Sequence, residues 1–138
     1  MPKDLQEPIR AFMTKGVISI DPDDYVTQAA KKMTEFDIAS LVVVKGYIPF
    51  GVVTEKDIVK KVVSKGIDPD KVTVGEIMSV EMYKVEASES IADAFIKMAK
   101  HGIRHLLVEE QGKLVGVFSL KNYLDLEKHR IAASISQD

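Results

Sequence analysis

The sequence predicts a mixed α/β (α+β) fold built from two β-α-β-β-α units related by pseudo-twofold symmetry. Three observations predict it. Residues 13 to 60 can be laid on residues 78 to 125 at a constant offset of 65 without a gap. Each copy carries an amphipathic helical stripe followed by two short apolar runs of the kind that form buried strands. A phrase near the end of the first copy, GVVTEKD at 51–57, returns as GVFSLKN at 116–122. Under the offset Met13 falls on Met78, Ala29 on Ala94, Lys32 on Lys97, Met33 on Met98, Ile38 on Ile103, Leu41 on Leu106, Val43 on Val108 and Gly51 on Gly116. A chance match would drift out of register.

The elements follow in the same order in each copy. GVISI and EMYKV predict short first strands, and DPDD and EASES supply turn and cap chemistry after them. Ser90 is placed to cap a helix whose apolar positions are Ile91, Phe95, Met98 and Ala99, and Val26, Ala29, Ala30 and Met33 form the matching stripe. SLVVV and RHLLV, rich in branched and bulky aliphatic residues, read as buried strands. The turns KGYIPFG and EQGKLVG lead to third strands, and closing helices are expected at about 55–64 and 120–130. The division expected is repeat 1 at 8–62, a connector at 63–74, repeat 2 at 75–128 and a tail at 129–138, forming one compact module. One short helix is expected near Val74 to Met78.

Composition limits the function. At 138 residues and 46% hydrophobic the chain can bury a core without staples, and it has no cysteine, which removes disulfides, thiolate nucleophiles and cysteine-bound zinc. MPKDLQEPIR has no apolar core of a signal peptide, and no apolar run approaches the roughly 20 residues of a membrane span, so a soluble, cytoplasmic protein is expected. A net charge of -2 gives no global positive field for nucleic acid.

The repeated phrase sits at the end of the third strand and the start of the last helix. Its local reading is a capping box: the Thr54 hydroxyl accepts from a first-turn N–H and Asp57 reaches back, with Ser119 and Asn122 a weaker version. A cap does not account for a glycine three residues before each hydroxyl, at a strand position where glycine marks close approach by a ligand or another backbone. The functional reading uses the same atoms on a nucleotide. A helix N-terminus and the Thr54 hydroxyl suit a phosphate, and a carboxylate at 57 suits a ribose diol.

The twin units and the pattern of glycine, two residues, Thr or Ser, two residues, Asp or Asn resemble a tandem pair of cystathionine β-synthase (CBS) domains. The resemblance extends over about residues 8 to 128, through MTKGVISIDPDDYVTQAAKKM, IMSVEMYKVEASESIADAFIKM and IRHLLVEEQGKLVGVFSLKNYL. It implies a regulatory module, not an enzyme, that binds an adenosine derivative (AMP, ADP, ATP or S-adenosylmethionine) in clefts between the repeats and requires no cofactor. A homodimer of pairs is implied, with output through a change of dimer state or through a separately encoded protein, as in sensing of energy state. Carried over by position, Asp57 would hold the ribose and Thr54 the α-phosphate or ribose. The backbone at Val17 and Ile18 and the side chains of Ile38 and Val52 would flank adenine, with Arg104 and His105 meeting phosphates. The twin positions are Ala39 and Ser40, Ser119 and Asn122, without the cations, so one good site and one weak site containing Ser40, Ser119 and Asn122 are expected.

Other readings compete for these residues. Taken alone, Arg104 would most simply pair with a surface carboxylate. His101 and His105 have metal-ligand spacing only on a continuous helix, which Gly102 argues against, so no metal site is expected. The methionines at 13, 33, 78 and 98 follow the core pattern, and the tail would extend the last helix toward a dimer contact. The alternative function is a protein- or nucleic-acid-binding scaffold of the same fold. No nucleophile set, phosphate-cradling glycine loop or metal triad supports catalysis.

Overall fold

The computed structural model describes residues 3–46 and 48–136; Tyr47, in the expected turn KGYIPFG, lies outside the described residues. In chain order the elements are β1 (Thr14–Lys15), β2 (Ser19–Ile20), α1 (Val26–Phe36), β3 (Ser40–Lys45), β4 (Ile48–Thr54), α2 (Glu55–Lys61) and α3 (Val74–Ile77). There follow β5 (Lys84–Glu86), α4 (Ile91–His101), β6 (His105–Glu110), β7 (Lys113–Ser119) and α5 (Leu120–Ser136). Single turns of 3-10 helix lie at Lys3–Gln6, Ile9–Ala11 and Val63–Lys65. The expected β-α-β-β-α run occurs twice, as β2 to α2 and as β5 to α5. The tail continues α5 to Ser136, because the stretch from Leu120 contains neither glycine nor proline to stop it.

In space the chain forms two compact units whose limits differ from those of the sequence repeats. One unit is residues 18–82; the other joins residues 1–17 to 83–138. The expected connector at 63–74 is a built part of the first of these. Val26 donates to the Val72 carbonyl at 3.0 Å, Val74 to Asp24 at 2.8 Å and Gly75 to Pro22 at 2.8 Å. Backbone groups there found partners in their own unit, which a free linker would have left to water.

The swap follows the offset. α3 opens the second repeat in sequence, yet Val74 and Ile77 are buried with Ile20, Val26, Met33, Leu41 and Val53 in the core of the 18–82 unit. The opening segment of the first repeat does the converse. Ile9 and Phe12 are buried among Val85, Ile91, Met98, Leu106 and Phe118. Each repeat therefore lends its opening turn to the other's core. Every apolar side chain so placed contributes about 1.5–3 kcal/mol relative to exposure, so the borrowed turn is part of what stabilises each core.

Each sheet has one parallel pair, β2-β3 and β5-β6, and one antiparallel hairpin, β3-β4 and β6-β7. The order is β2-β3-β4 in the 18–82 unit and β1-β7-β6-β5 in the other. Ser40 stands opposite Thr54 and Val43 opposite Gly51, while His105 stands opposite Ser119 and Val108 opposite Gly116, the same register at the same offset. Helix α1 ends at Asp37 (φ 52) and α4 at Gly102 (φ 64), both left-handed. Ile38 and Ile103 then close on Met33 and Met98 carbonyls at 2.9 and 3.0 Å, a Schellman closure. Ser90 caps α4 as expected, its Oγ accepting from Asp93 N–H at 3.1 Å. Among the described residues no helix is long and apolar enough to cross a membrane.

Candidate functional site

Hydrogen bonding places Ile18, Val52 and Thr54 around one end of the β2-β3-β4 sheet. The Ile18 carbonyl accepts from Val42 N–H at 3.3 Å, one residue before the Ser19–Val42 pair, and Val42 stands opposite Val52. Ile38, half buried, packs against the same core just before β3. Two residues beyond Val52, Thr54 stands opposite Ser40 at the strand end, and the Glu55 N–H closes on the Ala39 carbonyl at 3.0 Å. Val17 belongs to the other unit, next to Gly16, whose N–H bonds the Val115 carbonyl at 3.0 Å.

Thr54 and Asp57 form the capping box. Asp57 N–H donates to Thr54 Oγ1 at 3.1 Å, and Asp57 Oδ2 accepts from Thr54 N–H at 2.9 Å and from Thr54 Oγ1 at 3.0 Å. The far carboxylate oxygen, Oδ1, lies 3.1 Å from Lys61 Nζ. With Glu55 and Asp57 N–H groups both committed within the protein, the head of α2 retains less of the anion-binding capacity that the sequence suggested. What remains is a half-buried hydroxyl, donor and acceptor, beside a sheltered carboxylate that accepts.

The glycine before the hydroxyl is explained by another backbone. Val52 and Ser79 exchange hydrogen bonds in both directions, at 2.9 and 2.8 Å, which lays the residues after α3 along the outer edge of β4. A Cβ at Gly51 would stand 2.3 Å from the Ser79 carbonyl oxygen, so only glycine fits. In the other unit β1 does the same, Lys15 standing opposite Gly116 and Thr14 opposite Val117. The repeated glycine thus belongs to the exchange of opening segments.

Arg104 and His105 open β6. The Arg104 carbonyl accepts Leu120 N–H at 3.0 Å, as Ala39 accepts Glu55. The Arg104 side chain is exposed, and no carboxylate among the described residues pairs with it, contrary to the simplest expectation. His105 and Ser119 are half buried and stand opposite each other. Asn122 lies in α5, and its side chain lies outside the described residues. His101 ends α4 and stacks on Tyr83 at 4.1 Å between ring centroids, and Gly102 separates it from the strand that carries His105. They are thus on different elements. Sequence reasoning missed Lys61, although Asp57 and Lys61 have the i, i+4 spacing of a helical ion pair.

The model of the CBS domain matches residues 9–64 and again 74–128. The chain belongs to the CBS domain family and holds two copies of that domain. It is 37% identical over 120 residues to a protein of Methanopyrus kandleri, a match over 86% of this chain and 61% of that protein. The crystal structure of a conserved protein from Pyrococcus horikoshii superposes with a TM-score of 0.81 at 34% identity, covering 90% of this chain and 94% of that one. A CBS domain protein of Pyrobaculum aerophilum, solved in complex with AMP, superposes with a TM-score of 0.72 at 24% identity, covering 83% and 88%.

Proposed function

We propose that the protein is a regulatory, ligand-sensing module that binds an adenosine nucleotide and thereby shifts a homodimer or partner equilibrium. The observation that carries this reading is the Thr54–Asp57 pair at the end of β4: one hydroxyl and one carboxylate held by each other where Ile18, Ile38 and Val52 offer apolar backbone and side chains. The AMP-bound relative of the same fold supports the choice of ligand class. Arg104 and His105 are assigned to the phosphates by family resemblance, and Ser40, Ser119 and Asn122 to a weaker second site.

The cap is the resting state of this site. Thr54 Oγ1 has one proton, and it is given to Asp57 Oδ2. A phosphate that accepts the hydrogen bond from that hydroxyl frees a further acceptor, on Oδ2, for the second hydroxyl of a ribose diol, so phosphate and sugar recognition reinforce each other. A bound nucleotide can shift an equilibrium between two states only by the difference in its affinity for them.

The test is a calorimetric titration of nucleotide-free protein with AMP, ADP, ATP and S-adenosylmethionine, with mass by light scattering. Saturable binding is expected with one ligand, near one per chain, and lost in Asp57→Ala. Silence with all four rejects the reading and leaves the cap as the whole role of Thr54 and Asp57.

A further inference from the structure

Lys61 is the last residue of α2 and meets two groups at once. Its Nζ lies 3.1 Å from Asp57 Oδ1 and donates to the Ile77 carbonyl at 2.9 Å. Ile77 ends α3, and two residues later Ser79 pairs with Val52. A single ammonium therefore ties the acid at the head of α2 to the segment laid against β4. The side chain of Asp57 is 14% exposed and that of Lys61 44%, so the carboxylate is sheltered behind a cation that solvent reaches.

Acceptor accounting gives this contact a consequence. A carboxylate offers about four lone-pair directions. Thr54 takes two, both on Oδ2, and Lys61 takes one on Oδ1. The direction left on Oδ1 is the one a ligand hydroxyl can use without disturbing the cap, and the position of Lys61 decides where it points. The second repeat lacks the device: the offset puts Leu126 where Lys61 stands.

We propose that Lys61 is a positioning residue for ribose recognition, holding the Asp57 carboxylate so that its remaining acceptor meets a sugar hydroxyl. This rests on the nucleotide reading above. Because solvent reaches the Lys61 ammonium and Asp57 keeps its bonds to Thr54, Lys61→Met should stay folded.

The experiment compares wild type, Lys61→Met, Lys61→Arg and the neighbouring control Lys60→Met, each checked by thermal melt. Each is titrated with AMP, ADP, ATP and S-adenosylmethionine and with their 2′-deoxy counterparts. In Lys61→Met the ribonucleotide is expected to bind about tenfold more weakly, as loss of a charge-assisted contact implies. The 2′-deoxy ligand should lose far less, so the preference for ribose shrinks. Lys61→Arg should recover part of that preference and Lys60→Met should keep all of it. An unchanged preference, an equal loss for both sugars, or no recovery with arginine overturns the proposal. A wild type that binds none of the nucleotides overturns the nucleotide reading itself, and this inference with it.

Discussion

The turn from β4 into α2 and the turn from β7 into α5 share a backbone and differ in almost every polar side chain. In both, the last strand residue stands opposite the first of the preceding strand, and the next N–H closes on the carbonyl before that strand. On this common frame the first copy has Thr54, Asp57 and Lys61 where the second has Ser119, Asn122 and Leu126. Conversely, Ala39 and Ser40 occupy in the first copy the positions of Arg104 and His105 in the second, and Ile18 has its counterpart in Tyr83, whose carbonyl likewise accepts from the strand beside it, at 2.9 Å from Leu107. The repeat therefore preserves main-chain geometry and core, while the acid, its clasp and the cations have been divided between the copies.

The largest effect should come from breaking the exchange of opening segments. A fragment of residues 18–82 is expected to fold cooperatively, whereas one of 18–65, cut near the end of the repeat in sequence, loses Val74 and Ile77 from its core and should be unfolded by circular dichroism. A folded 18–65 fragment would show that the borrowed segment is dispensable. Next in size is Gly51→Ala, whose Cβ would collide with the Ser79 carbonyl. Strain and the displaced backbone pair should cost about 3 kcal/mol in denaturant unfolding. Gly116→Ala, opposite Lys15, tests whether the second copy is as tightly built.

Smaller still is the cap. Asp57→Ala should lower the unfolding free energy by about 1 kcal/mol while removing nucleotide binding. Asn122→Ala should leave the affinity nearly unchanged, and equal effects would erase the asymmetry between the turns. The smallest effect concerns Lys45, whose pKa is raised by its hydrogen bond to Asp23 and by the nearby charge of Asp21. A lysine raised above its unfolded value of about 10.4 contributes stability that is complete below that pH and lost as pH climbs through the folded value. Chemical denaturation between pH 9 and 12 should show this loss, and Lys45→Arg should remove it because guanidinium stays charged. At the equivalent position Glu110 pairs with Arg10, so this alkaline loss should belong to the first copy alone.

Much of this was legible in the sequence because the repeat doubled every signal. The stripes of Val26, Ala29 and Met33 and of Ile91 and Met98, the Ser90 cap and the T-x-x-D box all occur where periodicity and cap chemistry put them. The compact units were not legible. Alignment shows which residues are alike, and it carries no information on whether Val74 packs with the copy before it or after it. Gly51 was flagged as a point of close approach, yet only coordinates could identify Ser79 as what approaches. Lys61 had the right spacing from Asp57, but its second contact, to Ile77, is made across a turn and is invisible to spacing.

The exchanged segments also fix an order of events. Residues 18–82 contain everything their core needs, so that unit can close on itself as soon as its own stretch has left the ribosome. The unit built from 1–17 and 83–138 must hold its first strand in reserve while the whole intervening stretch is made. Joining its ends across so long a loop carries an entropic penalty that grows only as the logarithm of loop length. A previously folded insert shortens that loop. During synthesis residues 1–17 thus wait for residues 83–138, and Ile9 and Phe12 stay exposed until β5 to β7 arrive to cover them.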